Sequence, residues 1–296
     1  MKRRLCFLLV LGVCVLVLAP LAAFAVALSE HRTASGPFDV AWFEAGDDGV
    51  PLVFVHGWTC DHTSWQHQTE FFAKERRVLA LDLPGHGASS APDASYSVDI
   101  FAAAVADVMT AAGIDRAVLV GHSLGGAICR RFAERFPERT AAVIIIDGAF
   151  VFPPEDEEAR RAMQTDYAGI ASAFGGVSHD ENVRAFMSGM FLPETSEETR
   201  KAVLSVRAGT SPLVARRAME DFTNLDNWVG LPAVTAPALA VYADASVALE
   251  PEIEGNLRTL FSDLRYEVVE KSDHFFMMEK PDEVNARIDA FLKDLR

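Results

Sequence analysis

Basic residues are scarce in this chain. Lys and Arg number 27 against 42 Asp and Glu, which leaves a formal charge of -15. Three of the basic residues, Lys2, Arg3 and Arg4, crowd into residues 1–25, a stretch without a single acid, so the remainder is more acidic still. Such a surface repels phosphate backbones and anionic headgroups, which argues against nucleic-acid partners and against charge-driven adsorption to membranes. Cysteine is scarcer: of four, Cys6 and Cys14 fall in the N-terminal stretch, leaving Cys60 and Cys129. No paired Cys or His spacing of zinc type occurs, so no metal is expected. One disulfide between the remaining cysteines is open, a matter for geometry.

The N-terminal stretch reads as a leader. Its basic start is followed by the apolar run Leu5 to Leu18, then Pro20 and the small-residue pattern Ala23-Phe24-Ala25, the layout of a secretory signal peptide cleaved near Ala25. The alternative is an uncleaved membrane anchor, because the apolar stretch approaches the roughly 20 residues that span a bilayer. Either reading puts the rest of the chain outside the cytoplasm, periplasmic or secreted, with a membrane touched only through that segment.

The chain is half hydrophobic overall, and beyond the leader it is long enough for one large domain. Short apolar runs at 51–55, 78–83, 117–120, 141–146, 238–242 and 266–269 alternate with helical patterns at 64–74, 98–112 and 124–136, and a last helix opens at Pro281. That alternation predicts an α/β fold with a mostly parallel sheet flanked by helices. From about Phe150 to Pro232 the alternation stops and the composition turns helical. The reading is a core of residues 26–149 and 233–296 interrupted by a helical cap, 150–232, over the carboxyl edge of the sheet, where open α/β sheets bind ligands. A packed insertion without substrate contact is the alternative.

Chemistry concentrates at Gly121-His122-Ser123-Leu124-Gly125, which follows the apolar run Ala117 to Val120 and precedes a helical pattern. Gly-x-Ser-x-Gly between a strand and a helix is a nucleophile elbow: the serine occupies a strained turn with its hydroxyl exposed, and the flanking glycines avoid collisions. Three further segments accompany it, namely Val53-Phe54-Val55-His56-Gly57-Trp58, Leu81-Asp82-Leu83-Pro84-Gly85-His86-Gly87 and Ser272-Asp273-His274-Phe275. Together they make the chain, from about Phe38 onward, similar to the α/β-hydrolase fold superfamily, in its group of small esterase-like enzymes with a helical cap.

The resemblance implies an oxyanion hole built from the backbone N–H groups of Trp58 and Leu124, whose side chains should then tolerate change better than Ser123 or His274. His274 is the expected base because it follows the last strand on the same edge as the elbow. His56 and His86 read as structural loop residues, and His122 is expected to point away from the site. The acid departs from the pattern. Gly-x-x-Asp usually follows the penultimate strand, whereas here Ala243-Asp244-Ala245-Ser246 puts serine at that place. Asp147, at the end of the Ile144-Ile145-Ile146 run, and Asp244 are both candidates, Asp147 preferred because a carboxylate ending a buried strand needs a partner. Asp273 reads as a plain loop residue.

These residues imply acyl transfer from an ester-like small molecule through a covalent intermediate on Ser123, with no cofactor. Serine at the elbow excludes the dehalogenase and epoxide-hydrolase chemistry of this fold, which uses Asp there. A non-hydrolytic or perhydrolase-type enzyme of the same fold, or a catalytically silent binding protein, remain as alternatives.

Overall fold

A computed structural model describes residues 27–206 and 210–295. The expected leader therefore lies outside the described residues, and among those described no helix is long and apolar enough to cross a membrane.

The apolar runs form strands. In chain order the first half comprises β1 (Ser29–Ser35), β2 (Phe38–Ala45), β3 (Leu52–Val55), α1 (Gln66–Phe72), β4 (Val78–Leu81), α2 (Val98–Ala111), β5 (Ala117–His122), α3 (Leu124–Arg135) and β6 (Thr140–Ile146). Four helices come next: α4 (Glu157–Ala173), α5 (His179–Ser188), α6 (Glu197–Val206) and α7 (Pro212–Phe222). The chain closes with β7 (Ala238–Ala243), α8 (Asp244–Leu249), α9 (Ile253–Leu260), β8 (Leu264–Val269), α10 (Phe276–Glu279) and α11 (Pro281–Asp294). The strands make one sheet in the order β1-β2-β4-β3-β5-β6-β7-β8. Every pairing from β4 to β8 is parallel, while β2 runs antiparallel to both β1 and β4.

This is the mostly parallel α/β sheet expected from the alternation, in the α/β-hydrolase arrangement that the resemblance implies, with one addition at its edge. Of this β1–β2 hairpin, β1 was absent from the apolar runs for a physical reason: it reads Ser-Glu-His-Arg-Thr-Ala-Ser and is largely exposed, so no burial demand writes hydrophobic residues into it. Its partner β2 buries Phe38, Val40 and Trp42 and is interrupted by Asp39 and Glu44. In contrast β3, β5 and β7 are buried at every position, as strands covered on both faces must be.

The sheet's order carries the site. From β3 the chain crosses to β4 on one side and then to β5 on the other, so the loops after β3 and β5 face each other at the carboxyl edge. They approach so closely that a Cβ on Gly57 would touch the ring of His122 and the Cβ of Ser123. A Cβ on Gly125 would overlap the carbonyls of Val55 and His56, and one on Gly121 would overlap the backbone of Gly125 itself. No disulfide joins Cys60 to Cys129, and burial raises the Cys129 thiol far above its ordinary range.

Gly125→Ala should therefore destabilise the protein by about 3 kcal/mol or more, because backbone of β3 has no room to yield. Gly169→Ala, in the middle of exposed α4 with nothing within 4 Å of the added carbon, should raise stability by about 0.5–1 kcal/mol. Urea denaturation of both variants checks the contrast.

Candidate active site

Ser123 starts α3 with φ 52° and ψ -123°, a conformation that costs a non-glycine residue of order 1–3 kcal/mol. Neighbouring backbone imposes it: the N–H of Ser123 donates to Ile146 at 3.2 Å, and its carbonyl accepts from Gly126 at 2.9 Å and Ala149 at 3.0 Å. Its hydroxyl does not cap the helix it begins. The side chain is instead available to a cavity of about 220 Å³ that it shares with His274.

Asp147 ends β6 in a second strained turn, with φ 43°. It is almost wholly buried, and donors surround its carboxylate. Oδ1 accepts the N–H of Ala243 at 2.8 Å, while Oδ2 lies 2.6 Å from His274 Nδ1 and accepts the Ser246 hydroxyl at 2.6 Å. The carbonyl of the next residue, Gly148, accepts from the buried phenol of Tyr242 at 2.7 Å. Burial, with the Asp147 charge beside it, drives that phenol well above its ordinary range, so it stays a donor.

Of the two acid candidates, the structure brings Asp147 to His274 and not Asp244. Asp244 turns the other way, accepting the N–H groups of Lys271 at 2.7 Å and Ser272 at 2.9 Å. It thus holds the backbone of the loop that carries His274. Partial burial opposes its charge, but the Ser272 and Lys271 donors outweigh burial and keep its carboxyl below the usual range.

Two expectations are corrected. His122 does not point away: its ring lies 4.6 Å from that of His274 and lines the cavity. Its Nε2–H donates to the His274 carbonyl at 2.8 Å, and burial together with the neighbouring His274 holds it neutral. Asp273 is more than a loop residue. It is buried, accepts from Phe275 N–H at 2.8 Å and from the Thr195 hydroxyl, and so fastens the α5–α6 connection beside His274. The side chain of Trp58 is itself engaged: its indole N–H donates to Ala215 of α7 at 3.0 Å and its ring packs 4.5 Å from Phe174.

Trp58 lines the cavity from the loop after β3, and Leu124 does so from the first turn of α3. His56 braces the former loop. Its Nε2 accepts from Leu83 N–H at 3.0 Å, which puts its proton on Nδ1, 2.7 Å from the Gly57 carbonyl. Burial, with His86 nearby, pushes His56 down to about 3.

The remaining cavity wall is mostly apolar, with Phe186, Met187 and Met219 from the helical insertion among its residues, beside Tyr167 and Thr223. Among the described residues, no Asp, Glu, Lys or Arg lines it. Asp61, His62 and Asp82 form a compact cluster elsewhere, but there the His62 ring and backbone N–H and the Ala88 N–H already occupy the Asp82 carboxylate.

The family model described as "alpha/beta hydrolase fold" matches residues 50–281. The chain is 26% identical over 273 residues to Epoxide hydrolase 4 of Mus musculus, covering 84% of this chain and 75% of that protein. It is 28% identical over 252 residues to N-formylmaleamate deformylase of Pseudomonas putida, covering 83% and 90% respectively. Among solved structures it superposes on a thermophilic esterase from Thermogutta terrifontis with a TM-score of 0.74 at 23% identity, covering 90% of this chain and 98% of that one, a likeness of fold.

Two variants test the supporting contacts. Trp58→Ala should cost about 3–5 kcal/mol, as removal of a buried indole does. Asp244→Asn should lower the melting temperature at neutral pH. A carboxylate whose native pKa is depressed stabilises fully above its unfolded value, about 3.9, and loses that contribution as pH falls through the native value. The melting gap between wild type and Asp244→Asn should therefore close in acid.

Proposed function

The chain belongs to the alpha/beta hydrolase fold family, and from that premise we propose that it is a serine hydrolase cleaving neutral, apolar carboxylic esters through an acyl-enzyme on Ser123. The observation that carries this reading is the 2.6 Å contact between Asp147 and His274 Nδ1 at a cavity that His274 shares with Ser123. A carboxylate on Nδ1 fixes the proton there and leaves Nε2 as the basic nitrogen. His274 then takes the Ser123 proton as the hydroxyl oxygen attacks the ester carbonyl. The N–H groups of Trp58 and Leu124 stabilise the oxyanion, and His274 returns the proton to the departing alcohol. A water activated by the same imidazole attacks the acyl-enzyme, releasing the acid and restoring Ser123. Asp147 stabilises the imidazolium in both halves.

Substrate class follows from the wall. A charged group entering a cavity without a compensating partner loses its hydration, at a cost of several kcal/mol. Neutral acyl and alcohol groups are favoured accordingly. Epoxide opening of the kind that uses a carboxylate nucleophile is disfavoured by the serine hydroxyl at position 123, although a mouse relative bears the name epoxide hydrolase. An extracytoplasmic location, by the leader-like residues 1–25, is part of the same proposal.

A fluorophosphonate probe should label wild type and leave Ser123→Ala unlabelled; a folded wild type that resists labelling sinks the reading. Asp147→Asn should lower kcat by about 10³–10⁴-fold through the wrong histidine tautomer, and Asp244→Asn should stay within about threefold. p-Nitrophenyl butyrate should be cleaved with a kcat/KM about 100-fold above that of an analogue carrying a terminal carboxylate, equivalent to about 2.7 kcal/mol.

A further inference from the structure

Asp147 is held by more donors than orientation of His274 requires. The N–H of Ala243 anchors Oδ1, and Oδ2 is shared between His274 Nδ1 and the hydroxyl of Ser246, each at 2.6 Å. Ser246 is half-buried in α8 and does not line the cavity. Its reach to substrate is therefore indirect, through the carboxylate. We propose that Ser246 is a positioning residue whose hydroxyl sets both the direction in which Asp147 presents Oδ2 and the negative charge that His274 meets there. The proposal rests on the serine-hydrolase reading above.

The physical argument has two parts. A carboxylate offers two equivalent oxygens and turns readily unless each is claimed. Ala243 claims one and Ser246 the other, so the oxygen facing His274 is fixed before the imidazole becomes charged. A hydroxyl donor on the shared oxygen also draws electron density out of it, which weakens that oxygen as an acceptor toward His274. With the hydroxyl removed, Oδ2 becomes more basic, its bond to His274 tightens and the imidazolium is favoured.

Among the described residues, no donor besides Ala243, Ser246 and His274 reaches the Asp147 carboxylate. The Tyr242 phenol is committed to Gly148. The Tyr266 phenol, on β8, feels the Asp147 charge yet has no hydrogen-bond partner. Glu254, which acts on Tyr266, and Glu250, which acts on both phenols, have no proton to give when ionised. His122, packed against His274 from the other side, spends its Nε2–H on the His274 carbonyl. Ala243 and Ser246 thus do the holding between them.

The test compares full-length wild type, Ser246→Ala and Ser246→Thr by kcat/KM against pH on p-nitrophenyl butyrate, with a thermal melt of each. In Ser246→Ala the acidic limb should move to higher pH by roughly half a unit, and kcat should fall several-fold with KM little changed. Ser246→Thr keeps the hydroxyl and should return the limb to its wild-type position. A Ser246→Ala profile that superimposes on wild type overturns the proposal. So does a rate loss that tracks a lower melting temperature with the limb unmoved, because that assigns the hydroxyl a structural role. Fluorophosphonate labelling separates the levels: unlabelled wild type removes the serine-hydrolase reading and this one with it, whereas labelled wild type with an unshifted Ser246→Ala limb removes this one alone.

Discussion

A carboxylate buried at the end of a hydrophobic strand must be satisfied by donors or it will not stay charged. Asp147 meets that condition through backbone, hydroxyl and imidazole at once, and much of the site's geometry answers to it. Its backbone is strained, and its N–H is tied to Val241 of β7 at 2.8 Å. Ser123, one strand away, sits in a comparable turn and is tied to Ile146, the residue just before Asp147. Two costly conformations are therefore locked to each other through the ends of adjacent parallel strands. Only a sheet buried on both faces is stiff enough to sustain them.

The helices between β6 and β7 supply what the sheet lacks. The sheet edge provides the polar groups together with Trp58, Leu124 and Phe275, whereas α4, α5 and α7 provide residues such as Ile170, Phe186 and Met219 that close over them. Trp58 couples the two layers, its backbone at the sheet edge and its indole among the helices. Exclusion of water strengthens any charge interaction formed beneath. The Asp273 contact to Thr195 and the Glu279 contact to Ser196 N–H bring the α5–α6 connection down onto the loop that carries His274.

How much of this was legible in the sequence depended on the range of the forces involved. The strand–turn–helix context of Ser123 is local: glycines at 121 and 125 are dictated by collisions with adjacent backbone, and they announce themselves as a motif. Asp147 was visible as a polar residue at the end of Ile144-Ile145-Ile146, a place where burial makes a carboxylate hard to explain alone. The β1 strand left no trace because an exposed edge asks nothing of side-chain polarity. The contacts of His122, Asp244 and Asp273 were hidden for a different reason. Each is decided by which backbone group, brought from another segment of the chain, stands opposite the side chain, and sequence spacing does not encode that. The same holds for Ser246, legible only as a missing carboxylate until its hydroxyl is seen against Asp147.

The buried imidazoles around the site share one property. His56 is pushed down to about 3 and His86 to about 4 by burial, and His122 is held neutral by burial and its histidine neighbour. Across the ordinary working range they are therefore fixed dipoles, contributing scaffolding and no net charge. The His56 bonds behind Trp58 and the His122 bond to the His274 carbonyl thus join uncharged partners. Imidazoles that elsewhere serve as proton switches are here building material, used to hold two loops in place.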